Sequence, residues 1–339
     1  MAARAIRRIG LIGAGKHGAR YARHIRFDFP DLELAAIVRR NREQGAALAG
    51  ELGARLFTDY RELIERGGVD AVIVVVPPTL HLDVVTCAAR AGIPVLLEKP
   101  AAPSLAIGRE LLAVLAAHPI PLMVAQTLRF NSVVRALAAA CESIAPLRAL
   151  AFTQRFEPSP LSWLDDPAQA GGGIVLHTGV HAFDLIRLFT GLEPDAVTCQ
   201  TAAVRTRRTE DSFVAGVRLG GGSVLATVSC SRVAGARSGH IELTGERGML
   251  VGDHVLHHAA RVIGTAAEPL SLADPLPTVR EVVRTFVGAL RAGTPLPITL
   301  VDGLRAVALA EACYAAARSG QVTAVESVDD GPAAARGAA

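Results

Sequence analysis

Over roughly the first 125 residues, short apolar runs alternate with longer amphipathic stretches. IRRIGLIGAG reads as a strand entering a turn, and HGARYARHIRFDF as the helix behind it. LELAAIV is the next strand, and REQGAALAGELG a helix closed by glycine. VDAVIVVVPP is a continuous β-branched run, the pattern of a strand buried on both faces. HLDVVTCAARAG, PVLLEK, AIGRELLAVLAAH and IPLMVAQT continue the alternation of helix and strand. Repeated strand–helix units predict a parallel, doubly wound sheet with right-handed crossovers and helices on both faces.

After about position 128 the rhythm changes. SVVRALAAACESI reads as a helix, and then longer alternating stretches joined by glycine turns dominate, among them LRALAFTQRFEP, SFVAGVRLGGGSVLATVSCS and SGHIELTGERGMLVGD. These predict an open, mainly antiparallel sheet. A glycine-led helix, GGGIVLHTGVHAFDLIRLFTG, lies among them, and VREVVRTFVGALRAG and DGLRAVALAEACYAAARSG supply two more near the end. The chain therefore divides into a first α/β domain over 1–127, a second α/β domain over 128–325 and a disordered tail over 326–339. A chain of 339 residues accommodates two such cores.

Composition removes several classes of function. Half the residues are hydrophobic, a fifth are charged and the net charge is only +3, so no broad basic surface for nucleic acid is expected. The five cysteines form no close pair, which argues against a disulfide framework or a zinc knuckle and fits a reducing cytoplasm. No apolar run reaches the roughly 18 residues of a membrane span. The apolar start runs straight into a glycine turn and lacks a signal-peptide cleavage region.

GAGKHG, at 13–18, matches G-x-G-x-x-G between a strand and a helix. Gly13 serves the tight turn, Gly15 lets the backbone approach a pyrophosphate, and Gly18 brings the helix close to the strand. Lys16 and His17 lie within the same motif. An NAD site usually places a carboxylate at the end of the second strand, for the ribose 2′-hydroxyl. Here that strand runs into Arg39, Arg40 and Asn41. Arginine grips a 2′-phosphate that a carboxylate would repel, so NADP is the expected cofactor and NAD the alternative.

GAGKHG, VVVPPTLH, VLLEKP, TLRFN and GGGIVLHTGVHAFDL occur in the order seen in the glucose–fructose oxidoreductase/inositol dehydrogenase (Gfo/Idh/MocA) family, which the chain resembles over nearly its whole length. The resemblance implies a Rossmann domain followed by an α/β domain with an open antiparallel sheet. It also implies hydride transfer between a nicotinamide and a carbinol carbon of a sugar or cyclitol. Pro77, His81 and Glu98 join the glycine loop in the implied cofactor set.

Only two of the 35 basic residues are lysines, Lys16 and Lys99. A partly buried lysine can exchange its proton near neutral pH, which arginine cannot. Lys99 ends a strand, where open α/β folds place ligands. The resemblance puts this lysine beside the nicotinamide and the reacting hydroxyl. His177 and His181, four apart, share a helix face. In the family these positions are commonly Asp and His, so His181 matches the proton-transfer group and His177 departs from the pattern. An aspartate would raise the basicity of its neighbour, and a second imidazole does not supply that negative charge.

As a metal pair the two histidines lack a third ligand other than Asp184 one turn on, and no metal is expected. Arg129 and Trp163 are candidate substrate contacts, with His177. His81 is a candidate helix cap or a liner of the cofactor cleft. The resulting expectation is an NADP-dependent oxidoreductase of a sugar, cyclitol or related polyol, working as a homodimer or homotetramer. The alternatives are an NADP-binding sensor on the same scaffold and an oxidoreductase of a non-sugar substrate such as a dihydrodiol.

Overall fold

The computed structural model describes residues 2–329. Six strands form the first sheet: β1 (Arg8–Ile12), β2 (Glu33–Val38), β3 (Arg55–Phe57), β4 (Ala71–Val74), β5 (Val95–Glu98) and β6 (Leu122–Ala125). They are ordered β3-β2-β1-β4-β5-β6 and every pairing is parallel. Helices α1 (Gly18–Asp28), α2 (Arg42–Leu52), α3 (Tyr60–Arg66), α4 (His81–Arg90) and α5 (Leu105–Ala117) connect them. The continuous apolar runs behave as the pattern requires, since β4, β5 and β6 are buried along their whole lengths. Strand order reverses beside β1, so the loops after β1, β4, β5 and β6 converge at the carboxyl edge of the sheet, the usual ligand crevice of this fold.

The second sheet follows α6 (Ser132–Ala140). It comprises β7 (Leu147–Arg155), β8 (Pro194–Ala202), β9 (Ser212–Leu219), β10 (Val224–Ser231), β11 (Ser238–Gly245), β12 (Gly248–Asp253), β13 (His258–Ile263), β14 (Ala266–Pro269) and β15 (Thr323–Ala324), with α7 (Pro167–Ala170) and α8 (Val180–Thr190) inserted after β7. Neighbours pair antiparallel except β7 and β10, which run parallel, so the meander read from the sequence is mixed at its centre. Alternation along β9 and β10 turns one face inward, towards α8 and α10 (Leu300–Ser319). The other face leaves Val214 58% and Leu225 57% exposed.

The end of the chain does not stay with the second sheet. Val279, Val282, Val283, Phe286 and Leu290 of α9 (Thr278–Ala292) complete the hydrophobic core of the first domain, where α9 packs on α1. Arg291 secures the return by donating to the Ile6 carbonyl at 2.6 and 3.0 Å. Burial of this apolar stripe outweighs its distance along the sequence. Of the tail expected at 326–339, residues 330–339 lie outside the described residues. Its first part is tied down, with Glu326 paired to Arg109 and the Val328 carbonyl accepting from Arg305 at 3.1 Å. Among the described residues no helix is long and apolar enough to cross a membrane.

Candidate active site

Gly13 adopts φ +100°, and a Cβ there would lie 2.2 Å from the Val75 carbonyl oxygen. A Cβ on Gly18 would lie 2.1 Å from the Gly13 carbonyl, so both glycines are sterically required. Gly15 faces open space, which leaves backbone free for close approach. α1 carries no acid in its first turn to repel a phosphate. The loop therefore fits the pyrophosphate of a dinucleotide. At the end of β2, Arg39 donates to the Ala14 carbonyl at 3.0 Å and to the Gln44 side chain, so its guanidinium lies against the glycine loop. Arg40 is exposed, as is Lys16.

Glu98, the last residue of β5 and 5% exposed, joins that loop to the rest of the site. Its Oε1 accepts from His17 Nε2 at 2.8 Å and from the Tyr21 hydroxyl at 2.6 Å, and its Oε2 accepts from the Lys99 amide at 3.1 Å. Burial alone would raise its carboxyl. The His17 hydrogen bond, the His17 and Lys99 charges and the Tyr21 bond outweigh that effect and hold it at about 2. An ionised carboxylate thus lies under the catalytic edge of the sheet.

Lys99 reaches across the crevice. Its Nζ donates to the His177 carbonyl at 2.8 Å, in a π-helical turn at Val175–Gly179 that leads into α8. That carbonyl sits in a turn that GGG makes possible, because a Cβ on Gly173 would lie 2.2 Å from the Glu210 carbonyl. Burial and the Arg232 charge push the Lys99 ammonium down from its ordinary value, against the pull of Glu98. His177 is held at about 3, chiefly by burial and then by Lys99. The same two causes push His181 well below its ordinary value, so both imidazoles are neutral at pH 7.

Three buried polar atoms around this space have no hydrogen-bond partner: His181 Nδ1, Gln126 Oε1 and His254 Nε2. Gln126 follows β6 as Lys99 follows β5. His254 follows β12, its carbonyl accepts from Asn131 at 3.2 Å, and its charge, when present, acts on His181. Orphaned buried polar groups are costly, and a hydroxyl-rich ligand satisfies them.

Residues 7–126 match the family described as an oxidoreductase family with an NAD-binding Rossmann fold, and residues 147–251 match the GFO/IDH/MocA C-terminal domain. The chain belongs to the Gfo/Idh/MocA oxidoreductases. It is similar to 1,5-anhydro-D-fructose reductase of Ensifer adhaerens, with 28% identity over 311 residues covering 87% of this chain and 92% of the relative. It is also similar to inositol 2-dehydrogenase of Rhizobium meliloti (strain 1021), with 26% identity over 90% of this chain and 95% of that protein. In fold it resembles aldose–aldose oxidoreductase from Caulobacter crescentus, with a TM-score of 0.85 at 22% identity over 94% of this chain and 100% of the other. The Gfo/Idh/MocA proteins are NAD(P)-dependent dehydrogenases and reductases, and this chain is an oxidoreductase of that class.

Within this Gfo/Idh/MocA chain the structure brings Lys99, Glu98, His17, His177 and His181 together at the junction of the two sheets. Pro77 lies on the loop after β4, beside the glycine turn. Trp163 stands edge-on to the His177 ring at 5.5 Å between centroids, forming one wall.

Two expectations need correction. His81 neither caps its helix nor lines the cleft: it is fully enclosed, with its ring nitrogens each 3.2 Å from the carbonyls of Val76 and Ala101, so it braces the loop from behind. Arg129 spends Nε and one terminal nitrogen on Asp184, at 2.7 and 2.6 Å, which makes it a strut between the Thr127–Phe130 turn and α8. The same pair withdraws Asp184 from any ligand set with the histidines.

The sequence reading missed Tyr21, Gln126, Arg232 and His254. Only Gln126 carried a signal, its place at the carboxyl end of a buried strand.

Proposed function

We propose that the chain is an NADP-dependent oxidoreductase that transfers hydride between the nicotinamide and a carbinol or carbonyl carbon of a sugar, cyclitol or related polyol. One observation carries this reading: Lys99 Nζ is anchored 2.8 Å from the His177 carbonyl, one turn before a neutral His181 with a buried, unpartnered ring nitrogen. A bound nicotinamide supplies the hydride acceptor in oxidation and the donor in reduction. In the oxidative direction the neutral His181 imidazole accepts the hydroxyl proton. Lys99 donates a hydrogen bond to the same oxygen and stabilises its developing negative charge. In reduction His181 returns the proton to the carbonyl oxygen.

His177 has a different task. Its Nε2 donates to the Ala170 carbonyl at 2.9 Å, which leaves Nδ1 as an acceptor for a substrate hydroxyl. Trp163 offers a flat apolar surface to a sugar ring. The relatives named for anhydrofructose and inositol support a polyhydroxylated substrate. For the cofactor, Arg39 against the glycine loop and the lack of a carboxylate at the end of β2 favour NADP. The uncovered face of the second sheet, with Val214 and Leu225, serves as the contact in a homodimer or homotetramer.

Nicotinamide absorbance, followed over a panel of polyols and ketoses, tests the chemistry. Turnover by the parent is expected to fall about 10²- to 10⁴-fold in His181→Ala, the usual range for a general base. It is also expected to fall in Lys99→Arg, with cofactor affinity within a few-fold of the parent in both. Near-normal turnover in Lys99→Arg would overturn the role given to Lys99. Fluorescence titration is expected to show tighter NADP than NAD binding, and a smaller preference in the Arg39→Ala, Arg40→Ala double variant. Equal affinities for the two cofactors in the parent overturn the NADP assignment.

A further inference from the structure

Arg232 directly follows β10, whose buried positions Val224, Ala226, Val228 and Cys230 mark the face turned towards the helices. The same alternation puts Arg232 on that face. One terminal nitrogen of its guanidinium donates to Thr178 Oγ1 at 2.9 Å. Thr178 adjoins His177, whose carbonyl holds Lys99. Two cations therefore meet at consecutive residues of one turn, and the Arg232 charge bears on both Lys99 and His177.

No carboxylate answers Arg232. Among the described residues no acidic oxygen lies within 4.0 Å of its guanidinium. The two acids whose field reaches it are occupied elsewhere. Asp211 accepts from the amides of Val204, Arg205 and Thr206 at 2.6 to 3.1 Å. Glu210 accepts from the Val175 amide at 3.0 Å and the Tyr314 hydroxyl at 2.8 Å. Arg129, on the other side of α8, shows the contrast, since both its bonds go to Asp184. A part-buried guanidinium with one neutral partner leaves most of its five donors unused. It lines a cavity of about 220 Å³ with Gly173, Pro160 and Leu164, beside the segment that carries Trp163.

We propose that the substrate is a sugar acid whose carboxylate is bound by Arg232, while Lys99 and His181 act on the reacting hydroxyl. The proposal rests on the reading of this crevice as the substrate site and names the substrate class within it. A single planar fork matches the two oxygens of a carboxylate. A phosphate dianion would call for a second free cation, and Lys99 is committed to the His177 carbonyl and the reacting oxygen. The neutral imidazole of His177 in this wall also leaves the anion without a repelling carboxylate.

Calorimetric titration of the NADP-loaded protein tests this with five- and six-carbon aldonates and uronates, the neutral alditols of equal length, and glucose 6-phosphate. At least one acid is expected to bind about 30-fold or more tighter than its neutral counterpart, the lower range for a desolvated charge pair. Arg232→Gln is expected to abolish that advantage without changing alditol affinity, and Arg232→Lys to restore part of it. Near-ultraviolet circular dichroism confirms that both variants are folded. Acids no tighter than alditols, an advantage that survives Arg232→Gln, or a preference for the phosphate overturns the proposal. Turnover is read separately: an acid that binds through Arg232 without NADPH formation upholds this site and refutes the oxidoreductase reading instead.

Discussion

Replacing Glu98 by Gln removes one charge from the hub that joins the glycine loop to Lys99. In the parent, Oε1 takes two donors, from His17 and Tyr21, and Oε2 takes the Lys99 amide. Glutamine keeps one acceptor oxygen and turns its NH2 group towards a donor, so at least one buried N–H or O–H loses its partner. A carboxyl held at about 2 rather than 4.5 is worth about 3 kcal/mol, at about 1.4 kcal/mol per pH unit. For a chain of this size that corresponds to a fall in Tm of about 6 °C. Urea denaturation of the two proteins in parallel measures the difference.

The pH dependence of that difference has a definite sign. The folded-state value is depressed, so the contribution is fully present above the unfolded value near 4.5 and is lost as pH falls through about 2. The gap between parent and variant is expected to be about 3 kcal/mol at pH 7 and about 1 kcal/mol at pH 3. Equal midpoints at pH 7, or a gap that does not change with pH, would refute the reasoning.

Two further outcomes follow from the site. Gly18→Ala forces a Cβ to 2.1 Å from the Gly13 carbonyl, so α1 must move away from the turn. Dinucleotide affinity measured by fluorescence titration is expected to drop at least about tenfold, which is about 1.4 kcal/mol, and an unchanged affinity would remove the cradle from the argument. His177 is held at about 3, so the unfolded chain takes up its proton first as pH falls below about 6.5, and stability is lost in that direction. His177→Asn is expected to flatten the acid slope of stability by up to about 1.4 kcal/mol per pH unit between pH 6 and 4. The same variant is expected to raise KM more than it lowers kcat, whereas a matched loss of kcat would make His177 part of the proton path.

Much of this arrangement is written in local pattern. The period of apolar positions marks the strands and helices of the first sheet, because a strand buried on both faces needs an unbroken apolar run such as VDAVIVVV. GAGKHG declares its turn, because no side chain fits at Gly13 or Gly18. Lys99 stands out as one of two lysines, and its position at a strand end is set by the sheet itself. Other features depend on residues brought together from far along the chain. Glu98 meets partners 77 and 81 positions away, and nothing local to Tyr21 or His17 announces that bond. Arg232 resembles any other arginine until the tertiary structure puts it beside Thr178 without an acid. Whether α9 covers the first core or the second is likewise a matter of which apolar surface lacks a cover, since its stripe fits either. Periodicity selects the element and the face it buries, whereas the partner that face meets depends on long-range packing that short sequence windows do not contain.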